Sequence, residues 1–146
     1  MQISYNGVKL LKELEGFRNE AYLDTGGVPT IGYGSTKVNG IPVKMGDTIT
    51  EPEAEHQLLL DVTWAQTCIN QNVHVPLKQN QFDALVCFVY NVGADAFQKS
   101  TMLKLLNMML YAEAADQFSR WIYDNGKKVD GLINRRSKEQ AMFLGK

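Results

Sequence analysis

The sequence predicts an α+β fold, with a small antiparallel sheet at one end and helices over the rest of the chain. Three observations carry that reading. Apolar residues recur at helical spacing from Ser4 to Leu14 and again, repeatedly, after Thr50. Between them, residues 21–49 are rich in glycine and hold short β-type runs such as Tyr22-Leu23 and Thr30-Ile31. No apolar run approaches the ~18 residues that a membrane span needs.

The first helix places Val8, Leu10, Leu11 and Leu14 on one stripe, with Ser4 as a candidate N-cap and Gly16 as its stop. Residues 21–49 then read as a hairpin or meander, and Asn39-Gly40 adds a tight-turn signal. Thr50-Glu51-Pro52-Glu53 is a capping box with proline in the first turn, so a helix starts there. Ala54, Leu58, Val62, Ala65 and Ile69 continue it to about Asn72, a strut of about 30 Å that Pro76 ends. Gln79–Tyr90 is apolar nearly all round, the mark of a helix central to a bundle. Three more helices are expected: Ser100 or Thr101 to Met109, Ala112 to Tyr123, and Leu132 to Leu144. Their core residues would be Leu103, Leu106, Phe118, Trp121, Ile122, Leu132, Met142 and Phe143. The organisation is thus one domain over 1–146. It has a small β lobe over 15–50, a connecting helix over 51–75, and a helical lobe of 76–146 with 1–14.

The 146 residues are 45% hydrophobic, enough to bury a substantial core. A net charge of −1 lacks the strongly basic footprint of a nucleic-acid binder. The charge is uneven, because Gly126–Lys146 holds six cations against Asp130 and Glu139. That stretch reads first as a solvated helix surface and second as a face for an anionic polymer. The N-terminus shows no secretory signal pattern, which predicts synthesis in the cytoplasm and no stable membrane insertion. Cys68 and Cys87 both fall at apolar helix positions; two buried thiols are the first reading and a disulfide the second. His56 and His74 are lone and far apart, so no metal or other cofactor is assigned.

Glu15 closes the first helix, where the aligned peptide dipoles leave about half a negative charge that disfavours ionising a carboxyl group. Nine residues on, Asp24 opens a glycine-rich turn, where the N–H groups of Gly26 and Gly27 would favour its ionised form. A protonated and an ionised carboxyl group facing each other are equipment for cleaving a glycosidic bond. On the pairing alone, a surface glutamate and a turn-forming aspartate are the first reading, because both residues are common at such places. Thr30-Ile31-Gly32-Tyr33-Gly34 adds a strand hydroxyl and two glycines that admit close backbone approach. It lacks the third glycine and following helix of a nucleotide cradle.

The longer string Glu15-Gly16, Arg18, Tyr22, Asp24 and Thr30-Ile31-Gly32-x-Gly34 resembles the catalytic region of the phage-type lysozymes, the endolysins of glycoside hydrolase family 24. Gln79–Leu85 with Asn91-x-Gly93 is similar to that family's central helix. Gly131-Leu132-x-x-Arg135-Arg136-x-x-Glu139-x-x-x-Phe143 is similar to its C-terminal motif. The resemblance implies a lysozyme-like fold. It also implies hydrolysis of the β-1,4 bond between N-acetylmuramic acid and N-acetylglucosamine in peptidoglycan, with inversion. The family's acid, carboxylate and threonine map onto Glu15, Asp24 and Thr30, and its C-terminal arginine onto Arg136 or Arg135 as a partner for Glu15. Tyr90 and Asn91 are candidates to line the sugar groove. Expected partners are the peptidoglycan glycan strand and no nucleic acid. The resemblance further implies a monomer that acts on the wall in the periplasm and needs a separate membrane-permeabilising protein for release. One departure is Ser35, where many members carry histidine after the Gly-x-Gly; the position reads as structural. A lytic transglycosylase needs no second carboxylate, and a non-catalytic peptidoglycan-binding module needs neither.

Overall fold

Two compact units organise the chain: Lys9–Thr63, and Met1–Val8 together with Trp64–Lys146. The structure is a computed structural model describing every residue from Met1 to Lys146. Helix α1 (Tyr5–Glu15) ends where Gly16 turns to φ +73° and its N–H bonds the Lys12 carbonyl. That is the left-handed exit that glycine adopts at low cost.

In the Lys9–Thr63 unit, β1 (Arg18–Leu23) pairs antiparallel with β2 (Pro29–Gly32), with Leu23 opposite Pro29 and Tyr22 opposite Thr30. The register slips before Arg18 meets Gly32. A two-residue ribbon, β3 (Lys37–Val38) and β4 (Ile41–Pro42), turns through Asn39 and Gly40 at φ +51° and +79°. Positive φ at both central residues is what the right-handed twist of such hairpins demands. Helix α2 (Glu51–Asp61) starts as the sequence predicts: the Thr50 side chain accepts from the Glu53 N–H while Glu53 reaches back to the Thr50 N–H. Gly32, at φ +66°, lies so close to α2 that an added Cβ would stand 3.0 Å from the Ala54 Cβ. Leu11, Ile31, Val43, Ala54 and Leu58 fill this unit's core.

The expected strut to Asn72 is interrupted. After Asp61, the Val62 N–H is shared between the carbonyls of Leu58 and Leu60, and a second helix, α3 (Thr63–Asn72), begins. Val62 and Thr63 are consecutive β-branched residues, whose stiff side chains lower helix propensity.

In the other unit, α4 (Gln79–Val92) is fully buried from Phe82 to Val89, as an all-round apolar helix should be. It packs mainly on α8 (Asp130–Phe143). Between them run α5 (Ala94–Gln98), α6 (Thr101–Asn107) and α7 (Tyr111–Asp116), then a 3-10 turn (Phe118–Arg120). A hairpin of β5 (Tyr123–Asp124) and β6 (Lys127–Lys128) follows. Ser100 caps α6 by accepting from the Leu103 N–H. The helix expected over 112–123 starts at Tyr111 and stops at Asp116. The tighter turn drives Phe118 into the core, with its ring 5.3 Å from Phe88 and 5.7 Å from Phe143. Trp121, Ile122, Leu132 and Met142, expected in the core, are only half-buried.

Side chains of α3 and α4 stitch down the N-terminal segment of the same unit. The Ile3 N–H donates to Gln66 Oε1 at 2.6 Å, and the Ser4 N–H and hydroxyl both donate to buried Asp83. Gln79 donates to the Gln2 carbonyl. Ser4 is thus anchored by Asp83 instead of capping α1 with its own side chain. Cys68 and Cys87 are both buried, and no disulfide joins them.

Candidate active site

Glu15 is the last residue of α1, half-buried, at the helix end the sequence predicts. Its carboxylate faces the loop after β2, since a Cβ on Gly34 would lie 3.9 Å from Glu15 Oε2. Gly34 sits at φ +94°, so its backbone selects glycine there. Asp24 follows β1 and organises the tight turn into β2. Its Oδ1 accepts from the N–H groups of Gly26 (2.8 Å) and Val28 (2.9 Å), while the Gly27 N–H goes to the Asp24 main-chain carbonyl. The sequence reading had Gly27 in place of Val28 as the second donor. Both backbone donors, from Gly26 and Val28, fall on Oδ1, and the turn gives Oδ2 none.

Thr30 is buried in β2, opposite Tyr22. Its hydroxyl donates to the Val28 carbonyl at 2.8 Å. The hydroxyl proton is therefore committed, and what Oγ1 has left to offer is an acceptor. The hairpin thus places Asp24 and Thr30 on adjacent stretches of one turn-and-strand. Of the competing acids, Glu13 is exposed, as its position off the apolar stripe predicts, and Glu20 lies exposed on β1.

A second cluster fixes α1 against α2. Lys12 Nζ lies 2.7 Å from both Glu51 and Glu55, and the Tyr33 hydroxyl donates to Glu51 at 3.1 Å. The hydrogen bonds to Glu51 and Glu55 hold the Lys12 ammonium well above the usual lysine range, while Lys12 holds Glu51 below the usual carboxylate range. Burial, then the bond to Glu51, pushes the Tyr33 phenol up. Lys12 is one helical turn before Glu15, and Tyr33 is adjacent to Gly34. Ser35 is buried, pairs with Ile31 through both main-chain groups, and donates its hydroxyl to Asp61 at 2.6 Å.

In the helical unit, Asn91 ends α4, and its side-chain oxygen accepts from Arg136 Nη2. Arg136 is 1% exposed and bonds Glu139 through Nε at 2.8 Å; Arg135 bonds the same carboxylate at 3.1 Å. Burial pulls the Arg136 guanidinium below the ordinary arginine range, against the opposing pull of Glu139. The basic C-terminal face expected from composition is correspondingly smaller, because two of its six cations are core residues. Asn91 and Arg136 line a cavity of about 610 Å³ with Arg120, Trp121, Tyr123, Asp124 and Leu132. Tyr90 stacks on Trp64, ring centroids 5.9 Å apart. The sequence reading missed the aromatic contribution of Trp121 and Tyr123 to this cavity. The signal was the Asn125-Gly126 dipeptide, which marks a hairpin in the stretch between the last two expected helices.

Comparison with known proteins covers nearly the whole chain. The family described as phage lysozyme matches residues 12–139. The endolysin of Salmonella phage P22 is 47% identical over 145 residues, spanning 99% of each chain. The solved endolysin from Escherichia coli O157:H7 phage FAHEc1 superposes with a TM-score of 0.92 at 43% identity, covering 99% of this chain and 94% of that one. The muramidase domain of SpmX from Asticaccaulis excentricus gives a TM-score of 0.89 at 37% identity, covering 98% and 97%.

Proposed function

The chain belongs to the phage lysozyme family, and from that premise we propose how its residues divide the work. The protein is a peptidoglycan muramidase, an endolysin that hydrolyses the β-1,4 bond between N-acetylmuramic acid and N-acetylglucosamine to lyse the host cell at phage release. In our reading, Glu15 is the general acid that protonates the leaving sugar oxygen. Asp24 is the carboxylate that receives the proton of the attacking water.

The observation that carries this assignment is the committed hydroxyl proton of Thr30 beside an Asp24 with one oxygen spare. A water donating one hydrogen to Thr30 Oγ1 and the other to Asp24 Oδ2 has a lone pair left to attack the anomeric carbon. That arrangement favours direct displacement with inversion over a covalent glycosyl intermediate, which would need Asp24 itself at the sugar. Asn91, with its amide held by Arg136, and Tyr90 are the helical unit's proposed contribution to sugar binding.

The test is stereochemical and mutational together. Glu15→Gln and Asp24→Ala should each abolish clearing of cell-wall suspensions, and the wild-type reducing end should first appear as the inverted anomer by NMR. Clearing at near wild-type rate by either variant removes its residue from the mechanism, and a retained anomer removes the water-activating role. Phage endolysins act on the cell wall, and no helix here is long and apolar enough to cross a membrane. We propose that the protein works as a monomer in the periplasm and reaches it from the cytoplasm through a separate membrane-permeabilising protein.

A further inference from the structure

The chain contains three Asn-Gly dipeptides, Asn6-Gly7, Asn39-Gly40 and Asn125-Gly126, and the fold treats them differently. Glycine after asparagine removes the side chain that would otherwise shield the following amide nitrogen. That nitrogen can attack the asparagine side-chain carbonyl wherever the backbone opens far enough for the two to meet. We propose that Asn125 is a built-in modification site, converting to aspartate and isoaspartate well ahead of the other two.

The chemistry needs only water. The Gly126 nitrogen gives its proton to solvent and bonds to Asn125 Cγ; the Cγ–amide bond breaks, and ammonia leaves with a solvent proton. Water then opens the resulting succinimide at either carbonyl. The net change replaces an amide by a carboxylic acid, with ammonia as the other product.

Local opening sets the order. Asn6 and Gly7 lie in the first turn of α1, where Gly7 is packed so tightly that an added Cβ would meet Ile3 at 2.6 Å and Asp83 at 2.7 Å. Asn39 sits in a positive-φ turn whose opening breaks more than the ribbon. Its own N–H donates to Gln57, Gln57 is tied to Asp61, and the Val43 N–H beside buried Val43 bonds the Thr36 carbonyl. Asn125 is at φ +51° and Gly126 at φ +77° in a hairpin whose four strand residues, Tyr123, Asp124, Lys127 and Lys128, are all exposed. Two pairs of strand residues and the bond from the Val129 N–H to the Ile122 carbonyl hold it closed, with Ile122 and Val129 only half-buried and no side chain tying Asn125 itself.

Conversion would not be silent. It adds a negative charge between Asp124 and Lys127, and isoaspartate lengthens the main chain by one carbon inside a two-residue turn that tolerates no insertion. Tyr123 and Asp124, which line the cavity with Asn91 and Arg136, hang from that turn.

Trypsin separates the three sites into Met1–Lys9, Val38–Lys44 and Trp121–Lys127. The folded protein is aged in mildly alkaline buffer at physiological temperature, digested and mapped by mass spectrometry, with isoaspartyl methyltransferase labelling as a second readout. Asn125 should convert about tenfold faster than either other site. In guanidinium the three rates should converge, because the dipeptide is the same. Equal rates in the folded protein, or Asn39 or Asn6 in the lead, overturn the proposal; so does an Asn125 lead that persists unchanged in denaturant. Asn125→Gln should remove the signal from Trp121–Lys127 alone.

Discussion

Replacing Glu139 by alanine should be among the most damaging single changes to this protein's stability. The carboxylate is fully buried and bonds Arg136 Nε at 2.8 Å and Arg135 Nε at 3.1 Å, and those side chains are 2% and 8% exposed. Truncation leaves two guanidinium groups in the core without their counter-charge. Removing one partner of a buried pair costs about 3–5 kcal/mol, mostly the desolvation of the stranded charge. A domain of this kind has only about 5–15 kcal/mol in all. With an unfolding entropy of about 2.1 cal/mol/K per residue over 146 residues, the melting temperature should fall by about 10–16 °C. The urea midpoint should drop by about 2 M for a slope near 2 kcal/mol/M. Calorimetry and urea titration measure both. Glu139→Gln, which keeps an acceptor, should fall in between, and exchanging all three residues for apolar ones of similar volume should recover most of the loss. A melting shift of 2 °C or less (roughly what an exposed ion pair contributes) would refute the reasoning, since it would mean that the arginines rehydrate at little cost.

Gly32→Ala should destabilise by about 1–3 kcal/mol in urea, because it combines a φ of +66° with a methyl group 3.0 Å from Ala54. Thr30→Val keeps the volume but removes the acceptor proposed for the attacking water, so kcat should fall by about a hundredfold with little change in KM. Lys12→Met should cost about 1 kcal/mol at neutral pH, given that Glu51 and Glu55 are both partly exposed. Because the contact raises the Lys12 ammonium above its free range and lowers Glu51 below its own, the contribution is fully present between about pH 5 and pH 10. It is lost as pH climbs through the folded lysine value or falls through the folded carboxylate value. The stabilities of wild type and variant, measured by urea titration, should therefore differ most near neutral pH and converge both in strong alkali and in strong acid.

The elements that sequence located well are those whose cause is local. The Thr50–Glu53 capping box, the Gly16 stop and the unbroken apolar surface of α4 each state their structure within a few residues. Glu15, Asp24 and Thr30 were legible for the same reason, since they sit on one contiguous helix-end and hairpin. What was missed depends on distant partners. Helix α7 stops at Asp116 because Phe118 is drawn towards Phe88 and Phe143, which no window around residue 116 contains. Arg135 and Arg136 looked like solvent-facing charge until Glu139 was placed one turn away on a buried face. Ser35 gave no sign of its partner Asp61, which is 26 residues further on.

The helical unit takes its first eight residues from one end of the chain and the rest from position 64 onward. During synthesis, Ile3 and Ser4 therefore leave the ribosome long before Gln66 and Asp83, the side chains that will receive their amides. The intervening Lys9–Thr63 unit has all its own pairing partners in hand by then, so assembly begins in the middle. The start of the chain has to be held in reserve until α4 emerges, and a long loop must close before its amides find any reward.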